Sequence, residues 1–387
     1  MISAQRLTSG GLHAAGVLIA TLLLMSSARA QESDQQQEEP REGAQEQHGV
    51  PADKAQDGLQ LPGALGGLRI SGRLDVRETV SAKNDNALEG ALAIPAARLE
   101  VEYQWKKRMR AVVEFDVVDG LKDAFVWLKL SDSFSVRAGQ YKVPLSLIET
   151  ESTARLPIVR RALLRDVLSG ALDLTGRRVG AQVEWKCATC QRELKLRAGV
   201  WQNDPESKFT VAQTLGLVPM LRGTWQVADT LELGVAARAQ PYGLVTDKRW
   251  GNWTAELDVK HTLPLGWGEW RTWAEVLVGR SELLVGIEGP LLTGRAVSAL
   301  RFGGVKKSAL YVEPFMMLSA LDPDLVQSND LLWEAAGGLN FGQWNRWRLQ
   351  LQLESRRTEG AVPAVIKSLD NDLVNRRAVL LQLEAVF

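Results

Sequence analysis

Six arginines lie close together in the middle of the chain, and their side chains are the ones best suited to bind an anion: Arg155, Arg160, Arg161, Arg165, Arg177 and Arg178. A planar guanidinium can hold a phosphate group through two parallel hydrogen bonds. The same segment also carries an apolar set that favours a short helix packed against a wall of the protein: Ile158, Val159, Leu163, Leu164, Val167 and Leu168. The residues alone leave both interpretations open.

The chain contains two cysteines, Cys187 and Cys190, in a single C-x-x-C. Two ligands do not complete a zinc site, which takes about four, and we predict no metal site here. A redox motif is expected at a helix N-terminus near a βαβ unit, and the sequence offers no such unit. The spacing favours a local disulfide across a turn, in an oxidising compartment.

The N-terminal 60 residues are predicted to lie outside the folded body. Residues 1–30 have the features of a signal peptide: Arg6, an apolar stretch over residues 11–25, and a small-x-small cleavage site at residues 28–30. The alternative, a membrane anchor, is disfavoured because a spanning helix needs about 20 apolar residues. Residues 31–60 hold eight acidic and two basic residues and almost nothing apolar, which predicts a disordered periplasmic tail.

The overall charge points to no polyanionic partner. The chain has 46 basic and 46 acidic residues. Residues 1–60 contain four basic and eight acidic ones, so 42 and 38 remain after Gln60, a net charge of +4. This excess is too small to indicate a nucleic-acid partner.

From Leu61 onward, apolar and polar side chains alternate in runs of about ten residues. Residues 347–353, for example, are apolar at every odd position and polar at every even one. Such strands suit a membrane barrel, because a closed barrel satisfies every backbone hydrogen bond within lipid. About sixteen runs are predicted: 68–80, 96–107, 109–118, 121–130, 134–141, 177–186, 192–201, 217–227, 231–240, 253–262, 269–279, 293–303, 309–320, 332–341, 345–355 and 376–387.

The connections between these runs alternate in length. Those at 107–109, 131–133, 187–191, 228–230, 303–308 and 342–344 are short, and most of the others are long, including 81–95 and 142–176. Outer-membrane barrels have short periplasmic turns and long extracellular loops. The predicted fold class is therefore all-β: a transmembrane antiparallel β-barrel over residues 61–387. Five tryptophans near the short turns fit an interfacial belt: Trp105, Trp185, Trp225, Trp270 and Trp344.

Several segments resemble the phosphate-selective porin O/P family: residues 121–126, 136–144, 176–182, 311–314 and 337–341. The stretch 121–126 followed by 136–144 is the specific one among them, and the terminal Phe387 resembles the assembly signal of barrel precursors. The resemblance implies a homotrimer of sixteen-stranded channels in the outer membrane of a Gram-negative bacterium. It also implies that the third extracellular loop, 142–176 here, folds inward and narrows the pore.

The family's anion selectivity implies a role for cations that line the lumen. Besides the six arginines of 155–178, the alternation places further cations on inward faces: Arg69, Arg73, Arg77, Arg98, Arg137, Lys195 and Arg197. Successive weak cationic sites let a pore select anions and still release them. The same walls also carry carboxylates: Glu100, Glu102, Glu114, Asp116, Asp123, Glu184, Glu256 and Asp258. We expect neutralisation of Arg160, Arg161 and Arg165 together to lower anion over cation permeability.

Two other classes of protein fit the sequence less well. An outer-membrane enzyme would generally use a histidine, but His13 and His48 precede the barrel and His261 lies near a predicted periplasmic turn. A soluble periplasmic β-rich binding protein would need its apolar faces to pack on each other. We therefore expect a porin without catalytic activity or cofactor, in which small polar solutes or anions diffuse passively through a barrel surrounded by lipid.

Overall fold

The alternating runs form one antiparallel sheet that closes on itself. A computed structural model describes residues 59–63, 66–83, 88–202, 216–240, 252–281, 283, 284, 287, 289–303, 309–344, 346–360, 362, 363, 366 and 376–387. The predicted signal peptide, 1–30, lies outside these residues, as does all of the predicted tail, 31–60, except Leu59 and Gln60. These two residues belong to a short strand, β1 (Leu59–Gly63).

Sixteen strands of the described residues build the closed barrel. They are β2 (Gly66–Lys83), β3 (Glu89–Trp105), β4 (Met109–Asp116), β5 (Gly120–Lys129), β6 (Phe134–Lys142), β7 (Arg177–Lys186), β8 (Leu194–Gln202), β9 (Leu217–Ala228), β10 (Leu231–Gln240), β11 (Asn252–Leu265), β12 (Gly268–Arg280), β13 (Leu291–Gly303), β14 (Leu310–Asp322), β15 (Leu332–Gln343), β16 (Trp347–Thr358) and β17 (Arg376–Val386). The predicted fold class and strand number are confirmed.

Each strand pairs with its neighbour in sequence, and β17 pairs with β2 to close the ring. The closure runs from Arg376 opposite Lys83 to Val386 opposite Arg73. Beyond these pairs, the backbone N–H of Gly72 donates to the carbonyl of Phe387 at 2.8 Å, and the backbone N–H of Phe387 donates to the carbonyl of Gly72 at 3.0 Å. A side chain at position 72 would meet the Phe387 ring at 2.3 Å, so glycine is required there.

The alternation of side chains divides the sheet into an apolar outer face and a polar inner face. On β16, Leu349, Leu351 and Leu353 are exposed on the outside, whereas Gln350 and Gln352 are buried inside. This is the arrangement expected of strands with lipid outside and water or protein inside. No helix in the described part of the chain is long and apolar enough to cross a membrane.

The connections follow the predicted alternation with one difference. The predicted long loop 81–95 is largely strand, since β2 continues to Lys83 and β3 begins at Glu89. On the same rim, β4 and β5 are joined by only Val117, Val118 and Asp119. At this point of the extracellular rim, β2 and β3 therefore extend further than β4 and β5.

Candidate pore constriction and lumen

Residues 143–176, between β6 and β7, lie inside the barrel and are called the constriction segment. The segment contains the short helix α1 (Leu147–Thr150) and a second helix, α2 (Ala162–Arg165), that continues as a π-helical turn over Asp166–Ala171. Its backbone contacts inward-facing side chains of β11, β12, β15 and β16. The loop predicted to fold inward over 142–176 is therefore placed against the inner wall.

Two carboxylates hold the start of the constriction segment. Glu256 accepts hydrogen bonds from the backbone N–H groups of Ser146 and Leu147, each at 2.7 Å. Glu275 accepts one from the N–H of Ile148 at 3.2 Å and one from the Ser146 hydroxyl at 2.8 Å. The first N–H groups of a helix have no partner within the helix, so these carboxylates satisfy groups that would otherwise be unpaired inside the barrel.

The middle of the segment is held through its carbonyl groups. Asn340 and Gln350 donate to the carbonyl of Pro157, at 2.8 and 3.2 Å. The guanidinium of Arg348 donates to the carbonyl of Leu156 at 2.8 Å, and it also pairs with Glu384 at 3.0 Å. Hydrogen bonds that involve a charged group contribute about 1.5–3 kcal/mol each, so Arg348 is a strong anchor.

The second helix is fixed by polar and apolar contacts together. Arg295 donates to the carbonyl of Arg161 at 2.6 Å, and the backbone N–H of Leu163 donates to Glu334 at 3.0 Å. Leu163 and Leu164 of this helix are fully buried. They belong to a cluster with inward-facing side chains from several strands, among them Trp201, Val218, Leu277 and Leu332. Part of the lumen is thus filled by a packed apolar core.

The apolar residues that favoured a helix packed on a wall do pack in this way. Leu163, Leu164, Val167 and Leu168 are each 0% exposed and belong to the core just described. Ile158 packs in a second cluster with residues such as Trp273 and Phe315, and Val159 packs in a third with Ala378 and Leu380. The apolar face of this segment therefore packs against the barrel wall, as the helix interpretation of the sequence expects.

The four predicted arginines of the segment occupy different environments. Arg155 pairs with Glu151 at 3.4 Å, and Arg160 pairs with Glu354. Arg161 is buried and donates to the carbonyl of Glu151. Arg165 is exposed, and within the described residues no carboxylate lies at salt-bridge distance from it.

The Glu151 carboxyl links the constriction segment to the wall. Burial alone would raise its pKa, but the ammonium of Lys260, 2.8 Å away, and the guanidinium of Arg155 hold the pKa at about 2. Glu151 therefore stays ionised under all ordinary conditions. Its charge fixes the turn after α1 against β11.

The other predicted cations sit on the inner face of strands β2 to β8, mostly beside carboxylates. Those with a carboxylate at salt-bridge distance are Arg69 with Glu102, Arg73 with Asp75, Arg98 with Asp116, Arg177 with Asp123, Arg178 with Asp173, Lys195 with Glu193 and Arg197 with Glu184. Arg77 instead donates to the side-chain oxygen of Gln382 at 2.8 Å. The acidic residues seen in the sequence are thus direct partners of the arginines.

Arg137 differs from these wall cations. Its guanidinium lies over the ring of Phe125, at 4.7 Å, and near that of Tyr141, at 5.2 Å. Among the described residues, no carboxylate lies at salt-bridge distance from it, and its Nε makes no hydrogen bond. A cation is attracted to the face of an aromatic ring, so the rings hold Arg137 in place without neutralising its charge.

Sequence reasoning missed a second set of inward-facing arginines, which hold the constriction segment or its wall: Arg222, Arg271, Arg295, Arg301, Arg348 and Arg356. Each is buried and paired with a carboxylate on a strand one or two positions away in the sheet. The alternation would have placed all of them inside. It could not indicate which side of the lumen the segment covers.

The structure also shows where the two cysteines, His261 and Trp344 lie. Cys187 and Cys190 form a disulfide in the exposed turn between β7 and β8. His261 packs edge-on against Trp270, with ring centroids 5.9 Å apart, on the outer side of β11. Trp344 is not part of an outer belt, because the inward-facing Arg301 lies 3.8 Å from the centre of its ring. No group of three or more potential metal ligands occurs in the part of the chain that the structure describes.

Comparison with known proteins agrees with this architecture. Residues 68–248 match the family model described as phosphate-selective porin O and P. Among solved structures, the anion-selective porin from Comamonas acidovorans is 13% identical with a TM-score of 0.57, over 83% of this chain and 100% of that one. OmpT of Vibrio cholerae in its trimer form is 10% identical with a TM-score of 0.54, over 84% and 100%.

A third similar structure is OmpF from Salmonella typhi, 9% identical with a TM-score of 0.57, over 85% of this chain and 100% of that one. No curated protein sequence matches the chain significantly. At such low identities the structural likeness shows the shared barrel fold. Taken with the match of residues 68–248 to the phosphate-selective porin O and P family, which covers a little under half of the chain, the fold shows a porin-like channel of the Gram-negative outer membrane.

Proposed function

We propose that the channel admits small polar solutes by passive diffusion and favours anions, and that it works as a homotrimer without catalytic activity. The constriction segment covers the wall from β11 to β16. Strands β2 to β8 carry several cations that remain partly exposed, among them Arg69, Arg98 and Arg197. The apolar core of the segment also reaches this wall at Phe125, Tyr141 and Trp201, so the aqueous path runs along the part of the wall where those cations are exposed.

The proposed anion preference is supported by the exposed fractions of the paired side chains. Arg98 is 19% exposed whereas its partner Asp116 is 0% exposed, and Arg197 is 32% exposed against 11% for Glu184. Arg69 and Arg73 also stand further into the lumen than their carboxylates. In these four pairs the guanidinium is nearer the water, so an ion that passes them meets positive charge first.

Four pairs do not follow this order. Arg177 and Asp123 are equally exposed. The cation is less exposed than its carboxylate in three others: Arg110 with Glu102, Arg178 with Asp173 and Lys195 with Glu193. The carboxylates also partly cancel the field of the arginines, and salt screens the remaining field beyond a Debye length of about 10 Å at 0.1 M. These features favour a moderate anion preference over strict selection of phosphate.

Arg137 is the sharpest probe of this proposal, since its removal leaves no carboxylate without a partner. Salt-gradient recordings in planar bilayers would give the reversal potential of the wild-type channel and of Arg137→Gln. We expect wild type to favour chloride over potassium and the variant to lose a few-fold of this preference, because a unit charge about 4 Å from an ion contributes about 1 kcal/mol in water.

Arg192→Gln is the matched control. Arg192 lies in the turn between β7 and β8 and pairs with Asp229 at 3.1 Å, outside the lumen. It should leave the reversal potential unchanged. A wild-type channel that favours potassium would refute the anion preference, and phosphate added against chloride would measure how far the preference extends to phosphate.

Absence of catalysis and the trimeric state are supported by separate observations. His261 is the one histidine among the described residues, and it packs on Trp270 rather than facing the lumen. One of the similar structures is a trimer form. Native mass spectrometry of the detergent-solubilised protein would test the trimer directly, and a monomeric mass would refute it.

A further inference from the structure

Trp127 on β5 lies between two arginines on the inner wall of the barrel. Its side chain points inward, because Val126 and Leu128 on either side of it are exposed on the outer face. The sheet register places Arg110 of β4 and Arg137 of β6 directly opposite it. Side chains opposite each other on neighbouring strands have Cβ atoms about 4.5–5.5 Å apart. The indole and the two guanidinium groups therefore form one continuous surface, which we call the Trp127 patch.

The two arginines of the Trp127 patch differ in how their charge is balanced. The Nε atom of Arg110 lies 3.3 Å from the Glu102 carboxylate. Arg137 has no carboxylate at salt-bridge distance among the described residues, and Glu184 of β7 is already hydrogen-bonded to Arg197, at 2.5 Å. The patch therefore carries one positive charge that no direct contact balances.

The Arg137 guanidinium is held in position with its hydrogen-bond donors unused. The rings of Phe125 and Tyr141, at 4.7 and 5.2 Å, fix the place of the group. In the part of the chain that the structure describes, nothing accepts a hydrogen bond from its Nε or from either terminal nitrogen. A guanidinium can hold a carboxylate through two parallel hydrogen bonds, and Arg137 has the donors for both.

Trp127 adds an apolar surface beside this charge. It is partly exposed, and it packs at the edge of the apolar core that includes Phe125, Tyr141 and residues of the constriction segment. Because β5 runs from the extracellular rim to a periplasmic turn, Trp127 lies on the periplasmic side of Phe125. A solute that has passed the core therefore meets an indole and a guanidinium side by side.

We propose that the Trp127 patch binds aromatic monocarboxylates, with the ring stacked on Trp127 and the carboxylate on Arg137, and that such acids are favoured solutes of the channel. This inference rests on the proposed anion preference and names a class of solute that would use it. A carboxylate matches the single unbalanced charge, whereas a phosphate monoester, with a charge of about −1.5 to −2 at pH 7, exceeds it. A flat ring also covers the exposed part of the indole, since aromatic rings stack at short range.

Block of the chloride current measures binding at this patch. Benzoate, cyclohexanecarboxylate and acetate would be added in turn to the wild-type channel in planar bilayers, and the concentration that halves the chloride current would be recorded for each. Benzoate should act at a concentration a few-fold lower than cyclohexanecarboxylate, which has the same charge and nearly the same size but no flat ring. Acetate, which has no ring, should be the weakest.

Substitution of Trp127 tests the ring contact. The advantage of benzoate over cyclohexanecarboxylate should disappear in Trp127→Leu and largely remain in Trp127→Phe, which keeps an aromatic ring. Trp267→Leu is the matched control and should keep the wild-type advantage, because Trp267 lies in the turn between β11 and β12 and stacks on the outward-facing Phe302 at 4.7 Å. A mobility difference between boiled and unboiled samples on a denaturing gel shows that each variant is a folded barrel.

The outcomes separate the Trp127 patch from the anion preference. Equal block of the wild-type channel by benzoate and cyclohexanecarboxylate would overturn the patch, whether or not Trp127→Leu folds. An advantage of benzoate that survives in folded Trp127→Leu would also overturn it, even if reversal potentials show that chloride is favoured over potassium. A wild-type channel that favours potassium, but in which the benzoate advantage depends on Trp127, would refute the anion preference and leave the patch in place.

Discussion

Glu256 on β11 accepts the backbone N–H groups of both Ser146 and Leu147, each at 2.7 Å. One wall carboxylate thus fixes the point at which the constriction segment leaves the rim and turns into the lumen. Arg222 contacts the same carboxylate at 3.3 Å and Asp258 at 2.7 Å, which keeps the group positioned. The width of the aqueous path depends on contacts of this kind rather than on the barrel alone.

Glu256→Gln should loosen the constriction. An amide has one acceptor oxygen where the carboxylate has two, so one of the two N–H groups loses its partner, at a cost of about 1–3 kcal/mol. We expect single-channel recordings with larger current fluctuations and a changed mean conductance. Glu232→Gln, the same substitution on the neighbouring strand β10, should behave as wild type, and equal noise in both variants would contradict the anchoring role.

The fold follows from the sequence because one physical rule acts on every strand. Lipid outside and water or protein inside impose a period of two, and that period gave all sixteen runs. It failed at 81–95, where Ala91, Leu92, Ala93 and Ile94 are apolar in succession. An unbroken apolar run has no alternation to detect, so the pattern predicts a loop where β3 extends to Glu89.

The site could be predicted in kind but not in arrangement. Clustered arginines and a long third loop indicated a constriction, but whether an arginine faces water depends on where the loop lies against the far wall. Arg161 and Arg165 differ by four residues in sequence, yet one is buried and the other exposed. Likewise Arg348 anchors Leu156, 192 residues away, through a contact that no local pattern encodes.

A pH-dependent change in stability is expected at Asp330, in the loop between β14 and β15. Burial, with Asp322 and Asp324 nearby, raises the pKa of the Asp330 carboxyl from 3.8 to about 6. The unfolded chain therefore ionises this group first. Stability is unaffected below about pH 3.8, falls as the pH rises to about 6, and stays lowered above that value, by at most about 3 kcal/mol.

Asp330→Asn should accordingly raise the unfolding temperature at pH 8 and change it little at pH 3.5. Thermal unfolding in detergent, followed by circular dichroism at both pH values, would measure the difference. Asp132→Asn serves as the control, because Asp132 is solvent-exposed and pairs with Lys129, which lowers its pKa. A gain for Asp330→Asn that is equal at both pH values would contradict the role of ionisation.

The disulfide between Cys187 and Cys190 should contribute only modestly to stability. It closes a ring of four residues in an exposed turn, and the loop-entropy relation gives about 2 kcal/mol for so short a ring. Replacing both cysteines by serine should leave the barrel folded and lower its unfolding temperature by a few degrees. Loss of the mobility difference between boiled and unboiled samples would mean that the turn is needed for assembly.

Arg161 and Arg165 should have separable effects, although the sequence groups them as equal candidates for anion contact. Arg165 is exposed without a carboxylate at salt-bridge distance among the described residues, so Arg165→Gln should lower the chloride-to-potassium permeability ratio and leave stability unchanged. Arg161 is buried and donates to the carbonyl of Glu151, so Arg161→Gln should destabilise the constriction segment. Reversal potential and thermal unfolding would be measured on both variants. We expect Arg165→Gln to change the reversal potential alone and Arg161→Gln to lower the stability. If both residues were purely structural, or both purely selective, the two variants would not differ in this way. If Arg161→Gln shifts the reversal potential as strongly as Arg165→Gln, with no loss of stability, the buried position of Arg161 does not govern its role.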